Sequence, residues 1–431
     1  MHVTHGLCLA LAALMVNACV QGNVRVPESA LVVRNGTVID GTGRPPIING
    51  LVIVQGQRIV AVGEAVAFDV PEGVTIVDAG GGTILPGIIN SHTHSTHDPA
   101  VRRAFLIDGV TTVCNLGTSL DRRALLDSAS VPEGTAARVY WAGPIVTAPG
   151  GYPGPVYGSQ FNYEVGSPEE ARAAVADLLS RGASMIKVAL APGDPRDPWP
   201  VLDLARVQAI VAEAHAHGVL VRAHVFEPYL VEEVVFPAGV DVIEHLPMPV
   251  LTPDEERRVL GSTGPAALLY DTVATGFVAM LERMVREGIV MVPTLDGGLG
   301  TLFAKPQRSE AEQIVLDLHL EAVRRFHALG GVVALGNDFG GVPNVAAGMP
   351  LMEMKILLAA GLTPLEVLEA STRHAATACG QASRLGTLQA GQLADIIIVN
   401  GDPLADLSAM DSVITVVKGG EVAFRAREPR R

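Results

Sequence analysis

The spacing of apolar residues changes twice along this chain, and these changes constrain its fold more than any other feature. Between residues 30 and 82, short β-branched runs such as 51–54 are separated by glycines, a pattern typical of a meandering antiparallel sheet. From Gly87 onward, strand-like runs alternate with amphipathic segments such as 168–181, 205–217 and 310–329. This alternation predicts parallel strands joined by helical crossovers. After Gly386, short strands return.

The middle section, from Gly87 to Leu385, contains about eight strand-then-helix units, the number that closes into a (β/α)8 barrel. The late strands need partners, and the early sheet supplies them. We therefore predict an α/β protein in which a TIM barrel is inserted between two halves of one small β-sandwich domain. The predicted boundaries are a signal peptide at 1–22, sandwich segments at 23–85 and 386–431, and the barrel at 86–385.

Composition and charge narrow the classes of partner. The chain has 431 residues, of which 48% are hydrophobic, and this is enough for one barrel plus an appended domain. Its formal net charge is −14, and no run of lysine and arginine precedes the short tail at 425–431. A nucleic-acid partner is therefore not expected.

The N-terminal segment predicts export. Residues 6–20 form an apolar stretch that is short for a membrane span and ends at small residues, which favours a secretory signal and a periplasmic or extracellular protein. Residues 16–19 partly match a bacterial lipobox, in which Cys19 would carry a lipid anchor as the membrane contact. The alternative is an unprocessed hydrophobic N-terminus, since residues 1–5 contain no lysine or arginine.

Four cysteines are too few for a disulfide framework. Cys8 and Cys19 belong to the leader, which leaves Cys114 and Cys379 in the body of the protein. Cys114 lies in an apolar strand, so we expect a buried and inert thiol there. No cysteine is assigned a catalytic role.

Two histidines, His92 and His94, lie at the end of the apolar run 84–90. Residues two apart on a strand point the same way and can bind one ion together, and imidazole suits zinc and its neighbours. Further ligand types occur at the ends of later strand-like runs, where a (β/α)8 barrel carries its active site. These are Lys187, His224, His245 and Asp338.

An ordered set of motifs resembles the amidohydrolase superfamily, in particular the branch of imidazolonepropionase and the metal-dependent prolidase-like dipeptidases. The motifs lie at residues 34–41, 85–94, 109–113, 186–188, 243–245, 334–338 and 391–395. The resemblance implies a binuclear metal centre, with Lys187 carboxylated as the bridging ligand. The ligands that it implies are His92 and His94 from strand 1, Lys187 from strand 4, His224 and His245 from strands 5 and 6, and Asp338 from strand 8.

The surroundings of Lys187 suit this implied role. Ile186 and Val188 flank it, and an apolar setting lowers an amine pKa and favours the neutral form that adds carbon dioxide. The resulting lysine carbamate offers two anionic oxygens to two divalent cations. Zinc is the default metal, and iron, manganese or cobalt would suit similar ligands. A purely structural interpretation has the lysine head reaching water at the strand end.

The resemblance implies a metal-dependent hydrolase that cleaves an amide C–N bond of a dipeptide or N-acyl amino acid. A metal-activated hydroxide would attack, and Asp338 would shuttle the proton. Cyclic amides, lactones, organophosphates and mycotoxin amides stay open as substrates. A mononuclear enzyme of the imidazolonepropionase or deaminase type and a non-catalytic scaffold are competing hypotheses. A small-molecule or peptide partner is expected, and a homo-oligomer stays open.

Several residues near the motifs are candidates for substrate binding. Relatives carry Arg-Asp after the strand at 109–113, whereas Cys114 and Asn115 follow it here. We hypothesise that Arg222 replaces that arginine. The alternative is that Arg222 forms an ion pair without a catalytic role. Phe339, beside Asp338, suggests an apolar pocket. The loop at 150–158 is rich in glycine, proline and tyrosine, as substrate rims often are. The tyrosines that could hydrogen-bond a substrate carbonyl are Tyr152, Tyr157 and Tyr229.

Overall fold

The structure is a computed structural model that describes residues 24–126, 134–248 and 275–426. The predicted signal peptide and Cys19 lie outside the described residues. No helix within the described ranges is both long and apolar enough to cross a membrane.

The strands fall into three groups along the chain. The first group is β1 (Val24–Arg25), β2 (Leu31–Val38), β3 (Ile47–Gln55), β4 (Arg58–Glu64), β5 (Phe68–Asp69), β6 (Thr75–Asp78) and β7 (Thr83–Pro86). The second is β8 (Ile88–Thr93), β9 (Val110–Asn115), β10 (Arg138–Trp141), β11 (Ile145–Thr147), β12 (Asn162–Glu164), β13 (Ile186–Leu190), β14 (Val221–Val225), β15 (Val242–Glu244) and β16 (Val290–Val292). The third is β17 (Ile396–Val399), β18 (Val413–Lys418) and β19 (Glu421–Arg425).

The helices follow the strands of the second group. They are α1 (Pro99–Ile107), α2 (Arg123–Leu126), α3 (Gly154–Tyr157), α4 (Pro168–Ser180), α5 (Leu204–Ala216), α6 (Pro228–Leu230), α7 (Phe236–Ala238), α8 (Thr275–Arg286), α9 (Leu295–Phe303), α10 (Glu310–Ala328), α11 (Leu351–Ala359), α12 (Pro364–Glu369) and α13 (Ala375–Ala378). Turns of π-helix at Val231–Val235 and Ala370–His374 join α6 to α7 and α12 to α13, and turns of 3-10 helix lie at Ala65–Ala67, Leu120–Arg122, Ser159–Phe161 and Leu407–Asp411.

One sheet contains strands from both ends of the chain. Its order is β19-β18-β17-β7-β2-β3-β4, with β6 paired to β2, and β7 lies antiparallel to β17. The antiparallel meander predicted for residues 30–82 is correct for β2, β3 and β4 but wrong for β6, which runs parallel to β2. The next strand, β7, also runs parallel to β2. After β4 the chain passes through β5 and crosses back beside β2, so that apolar clusters cover both faces of this part of the sheet.

Parallel strands form the predicted TIM-barrel-like ring. Strands β8, β9 and β10 pair in sequence, and β11, β13, β14, β15 and β16 pair in a second run. Only three residues separate β10 from β11, and these two strands together occupy the third position of the ring. Residues 332–338 take the eighth position, because Met291 in β16 pairs with Val333 and the Ser91 amide in β8 donates to the Leu335 carbonyl at 3.0 Å. The observed α4, α5 and α10 match the three predicted helices to within one residue at each end.

The expectation of a free thiol at Cys114 is wrong, because Cys114 and Cys379 form a disulfide. Their Cα atoms are 6.4 Å apart across a sequence separation of 265 residues. Cys379 directly follows α13, which packs against the start of the barrel strands together with Ile89 and Met185. The disulfide therefore ties the helical segment that follows the last barrel strand to β9.

Candidate metal centre

The barrel strands bring the predicted ligands to one place, although Lys187 lies near the start of its strand and not at the predicted strand end. His92 lies in β8 and Lys187 and His224 lie in β13 and β14, whereas His94 and His245 directly follow β8 and β15. Asp338 ends the eighth barrel segment. One cavity is lined by all six of these residues: His92, His94, Lys187, His224, His245 and Asp338.

His92, His94 and Asp338 form the tightest group in this cavity. The Nε2 atoms of both histidines lie 3.3 Å from Asp338 Oδ1, and the three side chains offer ligand atoms within 4.8 Å of one another. Burial favours the neutral carboxyl, but His92 and His94 hold the pKa of Asp338 well below its usual range. The group offers two imidazoles and a carboxylate, a donor set that suits a divalent metal ion.

His224 and His245 complete the opposite side. His224 Nδ1 lies 2.7 Å from His245 Nε2, and His245 Nδ1 lies 2.8 Å from the Thr294 hydroxyl oxygen. Burial lowers the pKa of His224 well below its usual value and that of His245 to about 3. Both rings are therefore neutral near pH 7, the form in which imidazole binds metals.

Lys187 lies in the same cavity without a polar partner. Its side chain is 1% exposed, and Nζ has no hydrogen-bond partner. Burial lowers the pKa of this amine to about 8. Buried polar atoms are nearly always satisfied, so an isolated Nζ facing imidazoles indicates a site built for a further group.

Glu244 is a site residue to which the sequence analysis gave no role. Arg222 Nε donates to Glu244 Oε1 at 2.5 Å, and His92 Nδ1 lies 2.6 Å from Oε2. Although burial opposes ionisation, Arg222, Lys187 and His92 hold the pKa of Glu244 well below its usual value. The carboxylate must then accept the Nδ1 proton of His92, which leaves Nε2 directed at the cavity. The sequence did contain a signal for this buried pair, namely a glutamate inside one apolar strand and an arginine inside the preceding strand.

Backbone strain coincides with this site. His245, Thr294 and Asp338 have φ values of 68°, 51° and 58°, in the left-handed region that residues other than glycine seldom adopt. Such conformations persist where the surrounding structure enforces them, and they cluster at functional sites.

The predicted substrate-binding residues divide into two groups. Tyr152 and Tyr157 line the cavity, and the Tyr152 ring stacks on His224 with centroids 4.5 Å apart. Arg222 lies beneath the cavity in its ion pair with Glu244. Tyr229 is exposed and lines neither this cavity nor the adjoining one. Phe339 lines neither cavity and instead packs edge-on against Phe105.

The family model described as "Amidohydrolase family" matches residues 83–423. The chain belongs to the amidohydrolase family. Imidazolonepropionase of Erwinia tasmaniensis is 25% identical over 400 residues, which cover 82% of this chain and 88% of that protein. Imidazolonepropionase of Symbiobacterium thermophilum is 34% identical over 111 residues, or 25% of this chain. The latter match spans only 26% of the relative's length.

Solved structures share the fold of this amidohydrolase. A Xaa-Pro dipeptidase with bound methionine has a TM-score of 0.71 at 21% identity, covering 92% of this chain and 100% of the other. Ochratoxinase of A. niger has a TM-score of 0.71 at 22% identity, covering 91% and 95%. At these identities the likeness establishes the TIM-barrel-like fold of the amidohydrolase, as predicted from the sequence.

Proposed function

We propose that this amidohydrolase uses divalent metal ions to hydrolyse an amide C–N bond. The observation that carries the proposal is the isolated Nζ of Lys187, which lines one cavity with four histidines and Asp338. Membership of the family supports hydrolysis of C–N bonds.

The residues present fit a metal centre. His92, His94 and Asp338 would hold one side of it, and His224 and His245 the other, with Lys187 as a bridging carbamate between them. When bound, divalent ions polarise a substrate carbonyl and lower the pKa of water. Zinc is the metal that we propose, on ligand type.

The side chains of the chain supply the remaining steps. Asp338 accepts a proton from the attacking water and returns it to the leaving nitrogen. Glu244 holds His92 in one tautomer and one orientation. Burial raises the pKa of Tyr152 above its usual value, so its phenol stays protonated and can donate a hydrogen bond to the substrate carbonyl.

Dipeptides and N-acyl amino acids stay the substrates predicted from the resemblance. A mononuclear enzyme of the imidazolonepropionase or deaminase type is the competing hypothesis, and it requires no role for Lys187. The N-terminal sequence alone supports our proposals that the protein is exported and that Cys19 carries a lipid.

The test is hydrolysis of dipeptides, N-acyl amino acids and uncharged amides by metal-reconstituted protein. We expect turnover by the parent protein and a loss of at least 100-fold, about 2.7 kcal/mol, in Lys187→Ala. The matched control is Lys305→Ala, which removes an exposed lysine that does not line the cavity. Full activity in Lys187→Ala, or no amide hydrolysed by the metal-loaded parent, would contradict the proposal.

A further inference from the structure

The cavity that holds the ligand residues opens into a larger cleft. This cleft has a volume of about 620 Å³. It shares Tyr152, Tyr157, His224, His245 and Asp338 with the ligand cavity. A substrate whose reacting bond lies against the ligands therefore extends into the cleft, and the lining of the cleft determines which substituent fits there.

Aromatic rings form the walls of the cleft nearest the ligands. Tyr152 lies between His224 and Trp199, with interplanar angles of 24° and 22° to them. On the other side, Phe226 stacks on His245 with ring centroids 4.7 Å apart. Phe226 is nevertheless 47% exposed. Apolar pockets of this kind bind flat hydrophobic groups, which would cover the exposed ring.

Aliphatic side chains continue the lining beyond the rings. Leu246, Leu295 and Leu299 all face the cleft, and each is buried. They leave few polar groups with which a charged substituent could interact, so the cleft offers a hydrophobic surface on more than one side.

The charges around the cleft disfavour an anionic substituent. Among the described residues that line either cavity, Lys187 alone has an ammonium or guanidinium group, and Glu227 and Asp338 are acidic. The Arg222 guanidinium is fully buried and bound to Glu244. Away from the proposed metal end, a substrate carboxylate in the cleft would thus be desolvated beside Glu227, without a cationic side chain among the described lining residues, an arrangement that opposes binding.

We infer that the substrate is an uncharged amide that places an aromatic substituent in the cleft, rather than a free dipeptide or an N-acyl amino acid. This inference rests on the proposed function for the position of the scissile bond. It names the chemical class of the substrate, which the ligand set alone leaves open.

A matched pair of compounds tests the class. N-Benzoyl-2-phenylethylamine and N-benzoyl-L-phenylalanine differ only in the α-carboxylate of the latter. Binding to the metal-loaded protein is measured by rapid-mixing quenching of tryptophan fluorescence, since Trp199 lines the cleft, and hydrolysis is measured separately as kcat/KM. We expect the uncharged compound to bind at least tenfold more tightly, which corresponds to about 1.4 kcal/mol, and to be hydrolysed with the higher kcat/KM.

The two measurements separate the two claims. Equal or tighter binding of the carboxylate compound, or no quenching by either compound, would overturn the substrate class. Tighter binding of the uncharged compound without hydrolysis of either would support the class and contradict the proposed function. Hydrolysis that favours the carboxylate compound would support the proposed function and overturn the class.

A charge variant provides a second test. Glu227→Lys introduces a cation into the cleft, so we expect the ratio of the two dissociation constants to shift at least tenfold toward the carboxylate compound. Glu233→Lys makes the same change at an exposed position six residues further along the chain, outside both cavities, and should leave the ratio unaltered. An unchanged ratio in Glu227→Lys would overturn the placement of the substituent.

Discussion

Replacing Glu244 with glutamine should destabilise the protein strongly. Its two carboxylate oxygens contact Arg222 Nε at 2.5 Å and His92 Nδ1 at 2.6 Å, and the Glu244 and Arg222 side chains are both 0% exposed. Glutamine keeps the shape but removes the charge, which leaves the Arg222 guanidinium buried without a counter-ion. Breaking a fully buried ion pair in this way costs about 3 to 5 kcal/mol. The free energy of unfolding should fall by that amount.

The measurement is urea denaturation of the metal-free protein with its disulfide intact, monitored by circular dichroism. The matched control is Glu287→Gln, which removes a partly exposed ion pair with Arg283 and should cost at most about 1 kcal/mol. The double variant Arg222→Met with Glu244→Gln removes both charges, so most of the lost stability should return.

Metal binding separates the two roles of Glu244. Because both the single and the double variant replace the carboxylate that orients His92 by a neutral amide, whose oxygen is a weaker acceptor, each should bind the metal about 10- to 100-fold more weakly. Two results would refute the reasoning. One is a loss of less than about 1 kcal/mol in Glu244→Gln, and the other is a double variant that is stable and yet binds metal like the parent.

Three further predictions follow from other parts of the structure. Glu353 accepts hydrogen bonds from the amides of Leu295 and Asp296, and burial raises its pKa to about 8. The folded state therefore retains a proton that the unfolded state releases. The unfolding free energy of the parent, measured relative to Glu353→Gln, should thus decrease as the pH rises from about 4.5 to 8. The prediction would be contradicted if urea titrations at pH 5 and at pH 8 gave the same difference in unfolding free energy between the two proteins. Removing the disulfide in Cys114→Ala with Cys379→Ala should lower the unfolding free energy by about 2 to 4 kcal/mol, and reducing agent should affect the parent but not the variant. Tyr152→Phe should lower kcat/KM about tenfold with unchanged metal content, whereas the exposed Tyr229→Phe should change neither; equal effects of the two substitutions would argue against substrate contact by Tyr152.

The parts of the site that follow strand periodicity were predictable from the sequence. His92 and His94 are two residues apart at a strand end, and His224, His245 and Asp338 lie at the ends of further strands of the same parallel ring, whereas Lys187 lies near the start of β13. Since a closed barrel gathers its C-terminal strand ends at one rim, strand number and order were sufficient to bring these side chains together.

Features that depend on packing between distant segments were not predictable in this way. The sequence does not show that Glu244 and Arg222 meet inside the barrel, or that Cys379 reaches Cys114. The direction of Phe339 depends on the left-handed conformation at Asp338, which strand alternation does not anticipate. The parallel pairing of β6 and β7 with β2 likewise results from a crossover that apolar runs alone do not reveal.

Metal stoichiometry, measured together with a carbon-13 signal for a lysine carbamate, tests the central claim most directly. After reconstitution with zinc in labelled bicarbonate, we predict two ions per chain and one carbamate resonance in the parent. Lys187→Ala should lose the resonance and bind fewer ions, whereas Lys305→Ala should retain both. A parent protein that binds no zinc, or a Lys187→Ala variant that binds two ions as the parent does, would contradict the account.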